Sequence, residues 1–203
     1  MENIKIVNPK KWYGLKYPDS DLIGLVMKFA KPNKNDIAID IGCGTGRHIK
    51  FLNEIGYNAF GIDADKNMIE ACKNNGVEAY LSTLENFKTN KKIKLAIGWG
   101  FSMVVPKSMN ISKTIPKNIP AEYIILDWRT KNNSFNHFEN NIILSENEVI
   151  INKEGHVLNG LSYTSFNQEE CILEGYEIIA SQKVTKELNC EINEWYQVVY
   201  KKL

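Results

Sequence analysis

Residues 38–47 read Ala38-Ile39-Asp40-Ile41-Gly42-Cys43-Gly44-Thr45-Gly46-Arg47. An apolar run ends in an acid, passes into a loop with three alternating glycines, and leads into a helical pattern. Glycines at such spacing permit a tight turn and let a ligand approach the backbone closely. The N-terminus of the following helix presents free N–H groups and a positive dipole end. Two details separate this loop from a dinucleotide fingerprint. The spacing is GxGxG, and Arg47 stands where the last glycine of GxGxxG would fall. Asp40 would repel a pyrophosphate but suits an ammonium group.

Working outward, the pattern alternates strands and helices. Asp19 or Ser20 caps a helix running to about Ala30, with Leu22, Leu25, Val26 and Phe29 on one face. Asp36–Ile41 is a first strand, Thr45–Ile55 a helix ended by Gly56, and Asn58–Ile62 a second strand. Asp65–Asn75 is helical, Val77–Leu81 a third strand, Ile93–Trp99 a fourth and Tyr123–Leu126 a fifth. Such alternation predicts a parallel sheet with helices on both faces. Ile142–Ile151 and Gly155–Phe166 read as two extended segments joined by a turn at residues 152–155. Asn167–Glu170 reads as a helix start. Tyr176–Val184 and Trp195–Lys201 form an antiparallel hairpin at the sheet edge. Asp63, in Gly61-Ile62-Asp63-Ala64-Asp65, ends the second strand, where a carboxylate can accept both hydroxyls of a ribose.

Composition excludes several classes. The chain has 203 residues, 43% hydrophobic and 24% charged, with a formal net charge of +1. That size suits a single domain. The charge balance gives no electrostatic case for nucleic acid or an anionic membrane as partner. Cys43, Cys72, Cys171 and Cys190 form no CxxC pair, so neither a zinc knuckle nor a disulfide framework is indicated, and no metal is expected. They read as reduced thiols in a cytoplasmic protein. No apolar run approaches the ~18 residues of a spanning helix, and the N-terminus lacks the apolar core of a signal peptide.

The strand–glycine loop resembles motif I, and Gly61-Ile62-Asp63 motif II, of the class I S-adenosylmethionine-dependent methyltransferases. The resemblance covers most of the chain. It implies a Rossmann-like three-layer α/β sandwich: a seven-stranded, mostly parallel sheet in the order 3214576, with strand 7 antiparallel. It implies S-adenosyl-L-methionine as cofactor and S-adenosyl-L-homocysteine as product. The cofactor residues it points to are Asp40, Gly42, Gly44, Asp63, Ala64, Thr83, Leu84 and Gly98, with Leu84 packing on the adenine and Thr83 near its exocyclic amine. Ile97-Gly98-Trp99-Gly100-Phe101 falls at motif IV. The Asn/Asp-Pro-Pro-Tyr/Phe signature of nucleobase amine methylation is absent there, as is Pro-Cys. Trp12-Tyr13, Tyr17-Pro18-Asp19, Gly46-Arg47-His48 and Leu126-Asp127-Trp128-Arg129-Thr130 resemble a subgroup of small bacterial methyltransferases associated with surface polysaccharide or small metabolites, with tellurite-resistance-type relatives.

A sulfonium supplies its own reactivity, so the protein chiefly supplies placement. A base is needed where the acceptor is a poorly acidic hydroxyl; candidates are His137, His156 and Asp127. Arg129 and Arg47 fall at the C-terminal edge of the sheet, where open α/β sheets bind ligands; guanidinium suits an anion, so Arg129 is expected to contact an anionic acceptor and Arg47 the cofactor's carboxylate or the acceptor. Tyr13, Tyr17, Trp99 and Phe101 complete the expected acceptor-side residues. Residues 1–35 are expected to be a lid and helix, and 131–166 an inserted segment near the acceptor. The expected reaction is methylation of a small molecule at the oxygen of a sugar, phosphate or other anionic metabolite, by a monomer or homodimer. The rivals are methylation of protein or RNA, a non-catalytic cofactor-binding protein and, weakest, a nicotinamide dehydrogenase.

Overall fold

The computed structural model describes residues 16–156, 158–188 and 191–203. Trp12, Tyr13, part of the expected lid and Cys190 lie outside the described residues. Helix α1 spans Ser20–Phe29. Asp19 caps it, its Oδ1 accepting the Asp21 N–H at 2.9 Å, and Leu22 and Val26 are its buried residues. Strand β1 (Ile37–Ile41) leads through the glycine loop into α2 (Arg47–Glu54). Strand β2 (Asn58–Asp63), α3 (Lys66–Asn74) and β3 (Ala79–Leu81) follow. Strand β4 is Ile93–Gly98, α4 Ile111–Asn118 and β5 Ala121–Arg129. Three short strands come next, β6 (Ile142–Ser145), β7 (Glu148–Ile150) and β8 (Ser162–Thr164). The long pair β9 (Tyr176–Leu188) and β10 (Glu191–Lys202) closes the chain.

The main sheet runs β3-β2-β1-β4-β5-β10-β9. Strand β10 is antiparallel to both of its neighbours, and the pairs among β1 to β5 are parallel. This is the expected order 3214576 of a Rossmann-like sheet. The chain winds from β1 out to β3 and then crosses to β4 on the other side of β1. A crevice therefore opens between the C-terminal ends of β1 and β4, where sheets of this kind hold ligands.

Alternation along the strands divides the interior into two cores. One contains Ile39, Ile41, Phe60, Leu126, Trp128 and Tyr200. The other contains Leu22, Val26, Ala38, Leu52, Leu95, Ile97, Ile125 and Val199. Trp128 is fully buried but keeps its polar atom satisfied: Nε1 donates to Tyr200 Oη at 2.8 Å, and that hydroxyl donates to the Cys171 carbonyl at 2.8 Å. Losing either bond would strand a buried polar group at about 1–3 kcal/mol.

Several elements depart from the pattern reading. Helix α4 is absent from it because Pro116 reads as a helix breaker. The Ser112 carbonyl that proline leaves without its i+4 donor instead accepts the Glu174 N–H at 2.9 Å, so the break costs no buried acceptor. Strand β5 runs to Arg129 rather than stopping at Leu126, because Trp195 of β10 pairs with Arg129 and carries the ladder past the apolar run. The extended segments do not meet at residues 152–155. Ser145 pairs with Glu148, so the hairpin turns at Glu146-Asn147, and β8 joins β7 as the third strand of a separate antiparallel sheet. That sheet has its own cluster: Met103, Val149, Ile151, Leu158 and Tyr163, with Phe135 and Phe138 packed against it. The expected helix start at Asn167–Glu170 is a single 3-10 turn closed by a capping box. No helix among the described residues is long and apolar enough to cross a membrane.

Candidate active site

The glycine loop bridges β1 and α2. Gly42, Gly44 and Gly46 all have positive φ, at 68, 54 and 82°. Their surroundings differ. A Cβ on Gly46 would lie 2.4 Å from Val77 Cγ2 and 3.1 Å from Cys72 Sγ, whereas one on Gly44 would meet nothing within 4 Å. Gly46 lets α2 pack on the α3 turn; Gly44 leaves an open cradle over the loop. Gly42 faces the Phe101 ring, which would lie 2.7 Å from an added Cβ.

Asp63 ends β2 and is tied to this loop. Its Oδ2 accepts the Gly44 N–H at 2.9 Å, and its Oδ1 accepts the Asp65 N–H at 2.9 Å. Burial pushes its carboxyl above the usual value, against the opposing effect of those two N–H groups. Each oxygen retains lone-pair capacity for a hydroxyl. Ala64 is exposed beside it. Asp40 is only 1% exposed, and its Oδ2 has no hydrogen-bond partner. The nearest cation-capable group is His48 Nδ1 at 3.6 Å, whose own ring Nε2 is also buried without a partner. An unpartnered buried carboxylate oxygen just before the glycine loop fits the ammonium of an amino-acid moiety. Asp63 fits a ribose. The residues present thus fit S-adenosylmethionine, which when bound supplies an electrophilic methyl on a sulfonium.

The remaining expected residues divide. Gly98 is buried at the end of β4, with Phe101 close to it, so Phe101 lies between the two glycine positions at the crevice. Trp99 is 8% exposed and packs in the core containing Leu22 and Ile97. Leu84 is buried in the opposite core, and its carbonyl accepts from Asn118 Nδ2 at 2.8 Å; Thr83 beside it is half-buried. Arg47 donates to the Tyr17 carbonyl at 3.2 Å, while the Tyr17 side chain is 81% exposed. Burial lowers the Arg47 pKa, opposed by the charges of Asp19, Asp40 and Asp127.

Asp127 and Arg129 share one face of β5 by alternation. Asp127 is fully buried. Its Oδ1 accepts the Gly100 N–H at 2.6 Å, which fixes it at the mouth of β4. Arg129 Nη2 lies 3.1 Å from its Oδ2 without the alignment of a hydrogen bond, and Oδ2 has no other partner. Burial pushes the Asp127 carboxyl above its usual value, with the Arg129 charge and the Gly100 N–H opposing. The Arg129 guanidinium stacks 4.7 Å from the Trp195 ring, its cross-strand neighbour.

Neither candidate histidine is joined by a hydrogen bond or ion pair to Asp40, Asp63 or Asp127 among the described residues. His137 is exposed in a 3-10 turn, its Nε2 2.8 Å from the Lys131 carbonyl. His156 sits edge-on to Phe135 and Phe138, its Nδ1 accepts the Leu158 N–H at 3.2 Å, and burial lowers its pKa. Sequence reading missed Trp195 and Tyr163 as site neighbours. The cross-strand register of the closing hairpin would have exposed Trp195; nothing local marks Tyr163. Among the described residues, no cluster of three or more His, Cys, Asp or Glu could hold a metal ion.

The sheet order and the glycine loop are those of the Rossmann-like fold that S-adenosylmethionine-dependent methyltransferases use. Residues 39–92, the segment from β1 to the approach of β4, match the family described as methyltransferase domain. An S-adenosylmethionine-dependent methyltransferase from Mesorhizobium loti superposes with a TM-score of 0.70 at 12% identity, covering 91% of this chain and 98% of its own. A protein from Pyrococcus horikoshii OT3 gives 0.68 at 18% identity, over 90% of this chain and 88% of its own. A Methanosarcina mazei protein titled as an S-adenosylmethionine-dependent methyltransferase gives 0.67 at 16%, over 92% of this chain and 99% of its own. At these identities the likeness is one of fold. No curated protein matches.

Proposed function

We infer that the chain transfers the methyl group to a hydroxyl oxygen of a small molecule, a sugar or sugar-like metabolite, with Asp127 as the base. The observation that carries this reading is the Asp127 carboxylate. It is held at the end of β4 by the Gly100 N–H, its second oxygen lacks a hydrogen-bond partner, and burial raises its pKa. A raised carboxyl pKa brings a base closer to working pH. A hydroxyl, whose proton is poorly acidic, is an acceptor that needs such a base. The sequence expectation of an anionic acceptor is less well supported, because Arg129 is already paired with Asp127 and Arg47 lies in the field of three carboxylates.

Asp40, Gly42, Gly44 and Asp63 hold the cofactor in this reading, and Phe101 lines the crevice. Arg129 polarises the acceptor oxygen as its proton passes to Asp127 Oδ2. The test is formation of S-adenosylhomocysteine with a panel of hydroxyl, carboxylate and amine acceptors. Asp127→Asn keeps an oxygen for the Gly100 N–H but removes the base. It should lower kcat on the best hydroxyl acceptor by about 100-fold or more with product binding intact. Full kcat in that variant would end the assignment.

A further inference from the structure

Tyr163 is buried at 0% exposure, yet its hydroxyl has no hydrogen-bond partner. It lies in β8 of the separate sheet, its ring edge-on to Phe135 at 5.6 Å. Strand β8 is anchored over the end of β5: Thr164 Oγ1 donates to the Val105 carbonyl at 2.7 Å, and the Phe166 N–H donates to the Arg129 carbonyl at 2.8 Å. Tyr163 feels the charges of both Arg129 and Asp127, although burial is the larger reason that its hydroxyl keeps its proton. Around the same strand end, Arg129 Nε, Asn133 Nδ2 and Trp195 Nε1 are also buried donors without partners. Asn133 joins the group through its Oδ1, which accepts the Phe135 N–H at 3.1 Å, and Trp195 through the guanidinium stacked on it.

Native proteins rarely leave buried polar groups unpaired, because each costs about 1–3 kcal/mol. Several at one place point to a ligand. The chemistry of the set selects it. It offers donors together with one acceptor, Asp127 Oδ2. A carboxylate would gain the donors but face the Asp127 charge. A hydroxyl can donate to Asp127 and accept from Arg129 and Tyr163 at once.

We propose that Tyr163 completes a hydroxyl-binding acceptor site beneath the β6–β8 sheet, where its O–H and Arg129 Nε hold the acceptor oxygen whose proton faces Asp127, and that it selects neutral hydroxylated acceptors over carboxylates. The proposal rests on the hydroxyl-transfer reading above. In the step, the acceptor O–H bond breaks and its proton goes to Asp127 Oδ2. The oxygen pair forms the O–CH3 bond, and the C–S bond breaks with its electrons staying on sulfur. The phenol of Tyr163 donates throughout and is not consumed.

The experiment is Tyr163→Phe, read in two ways. In urea unfolding without ligand, the variant should have a midpoint equal to or above that of the wild type, since it removes an unsatisfied hydroxyl. A lowered midpoint means that the hydroxyl is already partnered, and overturns the proposal. In methyl transfer to glucose, glycerol and catechol, with glucuronate as the carboxylate probe, the variant should raise KM for the best hydroxyl probe about tenfold, a loss typical of one hydrogen bond to a charged or polar group, with a smaller change in kcat. Unchanged KM, or wild-type preference for glucuronate, overturns it. So does no transfer to any hydroxyl probe by a wild type that still binds S-adenosylhomocysteine. Loss of S-adenosylhomocysteine binding itself would instead overturn the cofactor assignment on which both readings stand.

Discussion

Gly44 and Gly46 sit two residues apart, share a left-handed backbone and have different reasons to be glycine. Replacing either with alanine forces a side chain into positive φ, at about 1–2 kcal/mol. At Gly46 the new Cβ also meets Val77 Cγ2 at 2.4 Å and Cys72 Sγ at 3.1 Å. Both neighbours are held, Cys72 inside α3 and Val77 just after it, so the overlap adds about 1–3 kcal/mol of overpacking. Gly46→Ala should therefore lose about 2–5 kcal/mol, a Tm drop of roughly 4–20 °C at 2–4 °C per kcal/mol for a chain of this length. At Gly44 nothing lies within 4 Å, so Gly44→Ala loses only the backbone term, about 1–2 kcal/mol or roughly 2–8 °C. Its Cβ instead projects into the cradle, and affinity for S-adenosylhomocysteine should fall at least tenfold, about 1.4 kcal/mol. Urea unfolding of both variants with calorimetric titration of each checks the pair. Equal destabilisation of the two, or wild-type product binding by Gly44→Ala, would refute the division of roles.

Three further outcomes are expected. Asp63→Ala should weaken S-adenosylhomocysteine binding by about 1.5–3 kcal/mol, roughly 10- to 150-fold, as its hydrogen bonds to ribose are lost; calorimetry with NAD as control measures it, and an unchanged Kd removes Asp63 from the site. Arg129→Lys loses Nε and the planar stack on Trp195, so KM for the true acceptor should rise about tenfold, whereas an unchanged KM in steady-state assays leaves Arg129 a structural residue. Glu194 is desolvated by burial, which raises its pKa, but hydrogen bonds from Thr130, Asn132 and Thr185 and the Lys183 charge outweigh burial and hold it below its usual value. Its stabilisation is therefore present above about pH 4.5 and is lost as pH falls through the lower folded value. Glu194→Gln should flatten the acid side of the stability profile in urea unfolding at stepped pH, and an unaltered profile contradicts the sign.

The candidate cofactor residues could be picked out of the sequence because their constraints are local. Asp40, the glycines and Asp63 lie at the ends of consecutive strands, and period-two apolar runs mark those strands without any tertiary information. The acceptor half was legible only in fragments. Arg129 and Asp127 were visible as residues, but their facing each other depends on β5 continuing past Leu126, and that depends on pairing with β10 some 70 residues later in the chain. Helix α4 was hidden by Pro116 because the donor that rescues Ser112 comes from Glu174, far along the chain. The β6–β7 turn was misplaced because Glu146-Asn147 lacks glycine, whereas Gly155 looked like the stronger turn signal. Tyr163 carries no mark of function in its sequence neighbourhood; what distinguishes it is a buried hydroxyl with nothing to bond, which exists only in three dimensions.

The charges around the crevice bear on what enters it. Arg47 lies in the field of Asp40 and Asp127, Arg129 is 3.1 Å from Asp127, and Asp63 stands across the glycine loop. With Asp19, whose charge also acts on Arg47, two guanidiniums thus face four carboxylates. Bound S-adenosylmethionine brings an ammonium, a carboxylate and a sulfonium, one net positive charge, and leaves this group with one negative charge in excess. A negatively charged acceptor would then be buried without a compensating cation, at several kcal/mol. A neutral hydroxyl adds no charge on entry, and the proton it gives up goes to Asp127, leaving a neutral carboxylic acid beside Arg129. The oxygen then loses its developing charge to the methyl as the sulfonium loses its own. Net charge in the buried site stays constant from acceptor entry to product. In this reading Arg129, 3.1 Å from Asp127, is a fixed partner whose charge favours the anionic form of that carboxyl until the acceptor arrives.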